Sequence, residues 1–176
     1  MIKIILYIAI SADGFIADKS GGVSWLDEYG STGEDCGYHD FFKSIDIIAM
    51  GRKTYEQMLT FGDWPNAGKM SYVFTKESDV PLHKDITFVS TDVKEFMNKM
   101  NTEHPNTKLW LEGGAQLVKS FYDAGLIDEY IITIVPKKIG QGIALLPEIV
   151  HGQDMKLIDE LKWPSGILQK HYAREI

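Results

Sequence analysis

The sequence predicts an α/β fold with a mostly parallel sheet, and two strand–glycine–helix junctions are the main evidence. Residues 109–111 form a continuous apolar run, typical of a strand buried on both faces, and Gly113-Gly114 and a helical apolar pattern follow it. Residues 45–50 run into Gly51 in the same way. Strands that alternate with helices at this spacing predict crossover connections within one sheet.

The other elements follow from local patterns. Residues 4–10 are too uniformly apolar for a half-exposed strand, so we expect a central strand there and not a signal peptide. The spacing predicts a short helix over 38–44, strands over 70–75, 86–89 and 130–135, and an amphipathic helix after Asp92. Two β-like runs, 155–161 and 167–174, flank a proline–glycine turn and predict an antiparallel hairpin at the sheet edge.

Length and composition restrict the class of protein. A chain of 176 residues is most simply one domain with a sizeable core. The net charge of -7 and the lack of a basic block argue against nucleic-acid binding. No apolar run approaches the roughly 20 residues that a membrane span needs. The single cysteine, Cys36, excludes an internal disulfide framework and indicates a reducing compartment, so we expect a cytoplasmic protein.

The glycine junctions have two interpretations. A strand that ends in glycine at a helix N-terminus lets a ligand approach the backbone and aims N–H groups at an anion. A tight turn of any α/β protein would look the same. Arg52 and Lys53 favour the first interpretation, because cations at a helix N-terminus oppose the helix dipole but suit a phosphate.

Residues 18–38 are rich in Gly, Ser, Asp and Glu, with Trp25-Leu26 as the apolar anchor. An irregular segment of this length inside a compact domain is usually functional. A disordered surface loop is the alternative.

Five segments, in order, carry a resemblance to a known family: Ser11-Ala12-Asp13-Gly14-Phe15-Ile16-Ala17, Gly51-Arg52-Lys53-Thr54-Tyr55-Glu56, Glu112-Gly113-Gly114, Leu126-Ile127-Asp128-Glu129 and Pro136-Lys137-Lys138-Ile139-Gly140-Gln141-Gly142. Together they cover nearly the whole chain. The chain resembles the dihydrofolate reductase fold, and more closely the reductase domain of the bacterial riboflavin-biosynthesis deaminase/reductase. The resemblance implies one three-layer α/β/α domain over residues 1–176, with a mixed, mostly parallel central sheet and a C-terminal antiparallel hairpin.

The resemblance also implies NADPH as the cofactor and a cis peptide bond between the paired glycines. The residues that it implies for the cofactor are Ala9 and Ile16 beside the nicotinamide; Gly51, Arg52, Lys53 and Thr54 at the phosphate end; Thr75 and Lys76 at the 2′-phosphate; and Gly113, Gly114, Ala115, Gln116 and Leu117 around the pyrophosphate. Both glycine junctions were already candidate anion sites on the residues alone.

The substrate side departs from classical dihydrofolate reductase, in which a carboxylate on the first helix recognises the pterin. Here the register places Gly37 or Tyr38 near that position. Asp35 and Asp40 are close in sequence, but neither aligns with it. The substrate is therefore expected to be a heterocycle other than folate.

Four residues are the candidates for the catalytic site. Trp25 and Thr133 match positions that line the folate pocket, and Glu112 follows the riboflavin-type pattern. A proton could come from Glu112, from Asp35, or from water held by Trp25 and Thr133. Glu112 could instead be a solvated strand end or form a salt bridge, and His39 is expected to be a surface histidine.

The resemblance thus implies an NADPH-dependent reductase that transfers hydride to a small heterocyclic or ribosylated pyrimidine- or pterin-like substrate. The chain has no Cys/His cluster for zinc, so we expect a stand-alone reductase without a deaminase domain and without a metal. A homodimer is also expected, because the apolar C-terminal hairpin and the run 130–135 suggest a sheet edge that a second subunit could cover. The alternative is a non-catalytic nucleotide-binding or regulatory module on the same fold, since fold does not guarantee function.

Overall fold

The computed structural model describes residues 1–175 of the chain. They fall into two compact units. Unit one contains residues 1–5 and 44–127, and unit two contains residues 6–43 and 128 onward.

The strands are β1 (Lys3–Ser11), β2 (Phe15–Ala17), β3 (Ile47–Gly51), β4 (Met70–Phe74), β5 (Ile86–Val89), β6 (Lys108–Gly113), β7 (Glu129–Val135), β8 (Ile143–Ala144), β9 (Lys156–Lys162) and β10 (Leu168–Ala173). The α-helices are α1 (Asp27–Gly30), α2 (Tyr38–Ser44), α3 (Arg52–Met58), α4 (Val93–Glu103), α5 (Ala115–Asp123) and α6 (Pro147–Val150). Short 3₁₀ turns occur at Ser24–Leu26 and Leu59–Phe61.

Unit one has its strands in the order β5-β4-β3-β6-β1. The pairs β3–β4, β3–β6 and β4–β5 are all parallel. Residues 47–50 and 109–111 are buried. The uniformly apolar runs predicted as strands buried on both faces are therefore confirmed, and β3 begins two residues later than predicted.

The helices of unit one follow their apolar patterns. Helix α4 begins after Asp92, whose carboxylate accepts hydrogen bonds from the backbone N–H groups of Lys94 and Glu95. Helix α5 buries Leu117 and Phe121, and Gly125 follows its end with a φ of 67°. The predicted helix start after Asp92 and the apolar helical pattern after the paired glycines are confirmed.

Unit two has its strands in the order β1-β7-β10-β9. Strand β10 is antiparallel to both β7 and β9, and the backbone N–H of Trp163 donates to Ile167 O at 3.0 Å in the turn between β9 and β10. The predicted C-terminal hairpin is confirmed. The interpretation of residues 130–135 as a sheet edge was wrong, because β7 lies between β1 and β10 and β9 is the outermost strand.

Residues 18–38 in unit two contain the 3₁₀ turn Ser24–Leu26 and helix α1 instead of continuous irregular chain. Side chains fix this segment. Trp25 is buried, and the Glu34 carboxylate accepts hydrogen bonds from the backbone N–H and the hydroxyl of Ser165. The sequence missed these contacts because they join residues far apart in the chain.

Candidate functional site

The two glycine junctions lie side by side in unit one. Strands β3 and β6 are parallel neighbours, with Met50 paired to Gly113, so both strands end at the same edge. A Cβ atom built on Gly51 would lie 3.7 Å from Gly114 N and 3.8 Å from Gly113 O. The backbones of two separate strand–helix turns are therefore in contact, as one binding cradle requires.

The paired glycines have a conformation that other residues rarely adopt. The peptide bond between Gly113 and Gly114 is cis, which confirms that prediction, and Gly113 has a φ of 134°. A Cβ atom on Gly114 would lie 3.3 Å from the hydroxyl oxygen of Thr54, closer than an ordinary van der Waals contact. Thr54 and the paired glycines, predicted to share a site, are thus brought together.

Both helices that leave these junctions lack a side-chain cap. Gly51 is the N-cap of α3 and Gly114 is the N-cap of α5, and neither has a side chain that can accept from the first-turn N–H groups. Those N–H groups have no acceptor within their own helix. In α5 they include Ala115 and Gln116, and Leu117 is buried beside them. A phosphate group suits such a helix terminus.

The expected cation, Arg52, is engaged in ion pairs. Its Nε lies 2.7 Å from Glu56 Oε1, and its Nη1 pairs with Glu77. The Arg52 side chain is 31% exposed, so these are partly solvated pairs of modest strength. A phosphate would compete with two carboxylates for this guanidinium.

Lys53 and Lys76, the other two expected cations, are exposed to solvent. The Thr75 hydroxyl oxygen accepts a hydrogen bond from the backbone N–H of Glu77 at 3.1 Å. This bond fixes the turn that follows β4, which carries Lys76 and the partner of Arg52.

Glu112 is desolvated at the end of β6. The residue as a whole keeps intermediate exposure, but its carboxyl group is removed from water, and this desolvation raises the pKa of Glu112 to about 8. Asn66 Nδ2 donates a hydrogen bond to Glu112 Oε2 at 3.0 Å, which partly opposes the rise. A carboxyl group with such a pKa is protonated near neutral pH. The alternative in which Glu112 is a solvated strand end is therefore wrong.

Sequence reasoning missed Asn66. It lies in the turn after Trp64-Pro65, where asparagine is an ordinary turn residue, so no local signal separates it from a structural one. Trp64 packs edge-on against Tyr55 with ring centroids 5.8 Å apart, and this packing holds the turn. The partner of Asn66 is 46 residues away in sequence, out of reach of any local pattern.

Asp35, in unit two, has a structural role. Its carboxylate accepts hydrogen bonds from the backbone N–H groups of Gly37 and His39, at 3.0 and 3.3 Å, at the start of α2. These bonds lower the pKa of Asp35, whereas a proton donor needs a raised pKa. Asp35, His39 and Asp40 are all exposed. Of the two carboxyl candidates, Glu112 has a raised pKa and Asp35 a lowered one.

Thr133 belongs to a buried polar network in unit two. Gln169 Nε2 donates to Thr133 Oγ1 at 2.9 Å and to Cys36 O at 3.1 Å, and it lies 3.3 Å from the Tyr7 hydroxyl. Burial is the main cause that raises the pKa of Tyr7 to about 12, so the phenol stays neutral. The Thr133 hydroxyl is thereby held in a fixed position.

The remaining candidates in unit two have different surroundings. Trp25 is buried, and its indole Nε1 has no hydrogen-bond partner in residues 1–175. Ala9 in β1 and Ile16 in β2 are both partly exposed, and β2 pairs with β8.

Neither a metal centre nor a membrane span is found in the described part of the chain. No group of three or more His, Cys, Asp and Glu side chains in residues 1–175 could hold a metal ion. No helix over the same residues has the length and hydropathy to cross a bilayer.

The chain belongs to the RibD C-terminal domain family, whose model matches residues 2–163. This match confirms the family to which the five segments pointed. The fold is the dihydrofolate reductase-like α/β fold, with a mixed, mostly parallel sheet.

Individual proteins agree with the family assignment. Protein YwjB of Bacillus subtilis, which is uncharacterized, is 35% identical over 98% of each chain. A solved Shewanella sp. PV-4 protein, provisionally named as a riboflavin biosynthesis protein, has a TM-score of 0.87 at 28% identity and covers 99% of this chain and 100% of its own. Dihydrofolate reductase of Enterococcus faecalis, solved with NADP(H), has a TM-score of 0.69 at 18% identity, over 99% of this chain and 97% of its own.

Proposed function

We propose that this protein is an NADPH-dependent reductase that acts on a small heterocyclic or ribosylated pyrimidine- or pterin-like compound. The activity would resemble that of 5-amino-6-(5-phosphoribosylamino)uracil reductase. The observation that carries the proposal is the contact between Gly51 and Gly113-Gly114 at two helix N-termini that lack side-chain caps. Together with membership of the RibD C-terminal domain family, this arrangement supports a site for the pyrophosphate of a dinucleotide.

The chain's own residues would hold the cofactor as follows. Backbone N–H groups of Ala115, Gln116 and Leu117 would bind the pyrophosphate at the start of α5, while the missing Cβ atoms at Gly113 and Gly114 leave room for it. Gly51 and Thr54 would complete this cradle. Ala9 and Ile16 would border the nicotinamide.

The 2′-phosphate would be bound by Arg52, Lys53 and Lys76, with Thr75 shaping the turn. Arg52 would have to exchange at least one of its carboxylate partners, Glu56 or Glu77, for the phosphate. An arginine suits a phosphate because its guanidinium can form two parallel hydrogen bonds.

When bound, NADPH supplies the hydride. The protein would supply the proton from Glu112, whose raised pKa keeps the carboxyl group protonated at neutral pH. Thr133 and Trp25 would orient the substrate, the first through a hydroxyl fixed by Gln169.

Two measurements test the proposal. Calorimetric titration should give tighter binding for NADPH than for NADH. Absorbance at the NADPH band should then fall when 5-amino-6-(5-phosphoribosylamino)uracil or 7,8-dihydrofolate is added to enzyme and NADPH. If neither cofactor binds at millimolar concentration, the proposal is wrong.

The alternative is a non-catalytic nucleotide-binding module. The missing helix carboxylate favours it, because Asp35 caps α2. Two results together would support this alternative. NADPH would bind tightly without being oxidised by either compound, and Glu112→Gln would change no pH-dependent property of the complex.

We also propose that the protein is a cytoplasmic homodimer. Strand β9 is exposed along its whole length at the end of the strand order and carries Leu157, Ile158 and Leu161. An exposed apolar edge strand of this kind is a ready surface for pairing.

A further inference from the structure

Asn66 has an unusual environment for a turn residue. It is completely buried, with 0% of its surface exposed. Its Nδ2 donates to Glu112 Oε2 at 3.0 Å and lies 3.8 Å from Met58 Sδ, while its Oδ1 is buried without a partner among residues 1–175. A buried amide oxygen without a hydrogen bond destabilises the fold.

The turn itself does not need this side chain. The bond that closes the turn runs from Lys69 N to the backbone oxygen of Asn66, which any residue would provide. An apolar side chain of the same size would fill the space without burying an unsatisfied oxygen. The presence of an amide side chain at position 66 is therefore explained by its hydrogen bond to Glu112, and not by the stability of the turn.

The hydrogen bond distinguishes the two oxygens of the Glu112 carboxyl group. In the neutral acid the carbonyl oxygen is the better acceptor, so the donor Asn66 Nδ2 favours Oε2 as the carbonyl oxygen. The same contact favours the acidic hydrogen on Oε1. Asn66 thus holds the carboxyl group in one orientation with the acidic oxygen turned away from the amide.

We propose that Asn66 is the positioning residue for Glu112, fixing which oxygen delivers the proton and stabilising the carboxylate that delivery leaves behind. This inference rests on the proposed reductase function. In the transfer step the Glu112 Oε1–H bond breaks. The hydride adds to the carbon of a C=N or C=O bond in the substrate, and the proton forms a new N–H or O–H bond at the nitrogen or oxygen of that same bond. The electron pair stays on the carboxylate, to which Asn66 donates, and water later returns the proton.

The first test needs neither cofactor nor substrate. Protein labelled with ¹³C at the glutamate carboxyl carbon is titrated by NMR, and Glu112→Gln identifies the Glu112 signal. Asn66→Leu removes the donor that favours the carboxylate, so the pKa of Glu112 should rise by about one to two pH units above the parent value. Met58→Leu is the matched control, because it changes the other contact of the same amide and should leave the pKa in place.

The second test measures transfer of hydride in a single turnover with NADPH and 5-amino-6-(5-phosphoribosylamino)uracil or 7,8-dihydrofolate. Asn66→Leu should slow turnover about ten- to a hundredfold and move the basic limb of the pH profile upward, with the NADPH dissociation constant unchanged. If circular dichroism shows that Asn66→Leu is unfolded, Asn66→Ala, which also lacks the amide, is used in both tests.

The outcomes separate this inference from the proposed function. An unchanged Glu112 pKa in the folded variant overturns the positioning role, whatever the enzyme does. A shifted pKa with an unchanged pH profile also overturns it, because Glu112 is then not the donor that Asn66 serves. A parent protein that neither binds NADPH nor turns over overturns the reductase function itself, and the catalytic role of Asn66 with it.

Discussion

The two compact units present their candidate site residues in different ways. In unit one the candidate site is formed mainly by backbone atoms, because Gly51, Gly113 and Gly114 bring together two helix N-termini that lack side-chain caps. In unit two the candidates are side chains such as Asp35 and Thr133, whose polar atoms already bond to the protein. Backbone junctions can be recognised from local sequence, whereas the role of a side chain depends on partners elsewhere in the chain.

The largest expected effect separates the two carboxyl groups. Glu112→Gln should reduce turnover about 10²- to 10⁴-fold, the usual contribution of a general acid. Asp35→Asn should leave turnover within a few-fold of the parent, because its amide oxygen keeps one of the two hydrogen bonds at the start of α2 and no proton transfer depends on Asp35. Single-turnover rates of both variants decide the point, and an equal loss in the two would contradict the assignment of the proton donor to Glu112 alone.

The pH dependence of stability provides a second test of Glu112. Its folded pKa of about 8 lies above the ordinary value of 4.5 for an unfolded chain, so the native state binds more protons between these values. The neutral carboxyl group is compatible with the fold below about pH 4.5, and stability is lost as the pH rises toward about 8.

Replacing Glu112 with glutamine should remove that loss. Between about pH 5 and pH 8, the parent should lose about 3–4 kcal/mol more of its free energy of unfolding than Glu112→Gln does. Urea denaturation of the two proteins at both pH values measures the difference. Parallel pH curves would mean that Glu112 is solvated and ordinary.

The glycine cradle has the next largest expected effect. In Gly114→Ala the new methyl group would meet Thr54 Oγ1 at 3.3 Å and fill the space against the backbone, so NADPH affinity should fall about a hundredfold. Gly125→Ala is the control. Its φ of 67° strains alanine, but nothing lies within 4 Å of the new Cβ, so stability should fall while binding is spared. Calorimetry that gives equal affinities for Gly114→Ala and the parent would contradict the cradle.

The sequence predicted those features of the fold that depend on neighbouring residues. It predicted the bounds of α2 and β5, the Asp92 cap and the glycine junctions correctly, because each depends on a few neighbouring residues. It placed β7 at an edge, since an apolar strand looks the same beside one neighbour or two. It missed Asn66 because the partner of that residue is distant in sequence.

The side-chain candidates show the same limit. Glu112 and Asp35 are both acidic residues near a helix start in the sequence, and only the structure separates a desolvated carboxyl group from a helix cap. Arg52 was predicted to bind a phosphate because of its position at the helix start. Its ion pair with Glu77 could not be predicted, because that pair depends on how the turn after β4 folds. Long-range partners determine charge state, and short sequence patterns do not report them.

Cofactor preference tests the cations of unit one. Replacing Arg52 and Lys53 together with alanine should weaken NADPH binding by about 1.5–3 kcal/mol for each lost phosphate contact and leave NADH binding nearly unchanged. Glu77→Gln should act in the opposite direction, because it removes a carboxylate that competes for Arg52. Titrations of the parent that give equal affinity for the two cofactors would remove the basis for this assignment.

The smallest expected effect concerns the outer strand of unit two. Strand β9 exposes about half of the side chains of Leu157, Ile158 and Leu161, at 45%, 52% and 47%, so pairing with a second copy would cover a modest apolar area. Analytical ultracentrifugation at micromolar concentration should give twice the monomer mass of 19.9 kDa for the parent. Ile158→Lys adds a charge at the centre of the strand and should shift the equilibrium to monomer, because edge lysines oppose strand pairing.

Lys119→Glu, a change of charge at an exposed position on α5 in unit one, should leave the mass unchanged. A parent that sediments as a monomer would remove the dimer from the proposal and leave the cofactor cradle of unit one unaffected, since the residues of that cradle all belong to one unit.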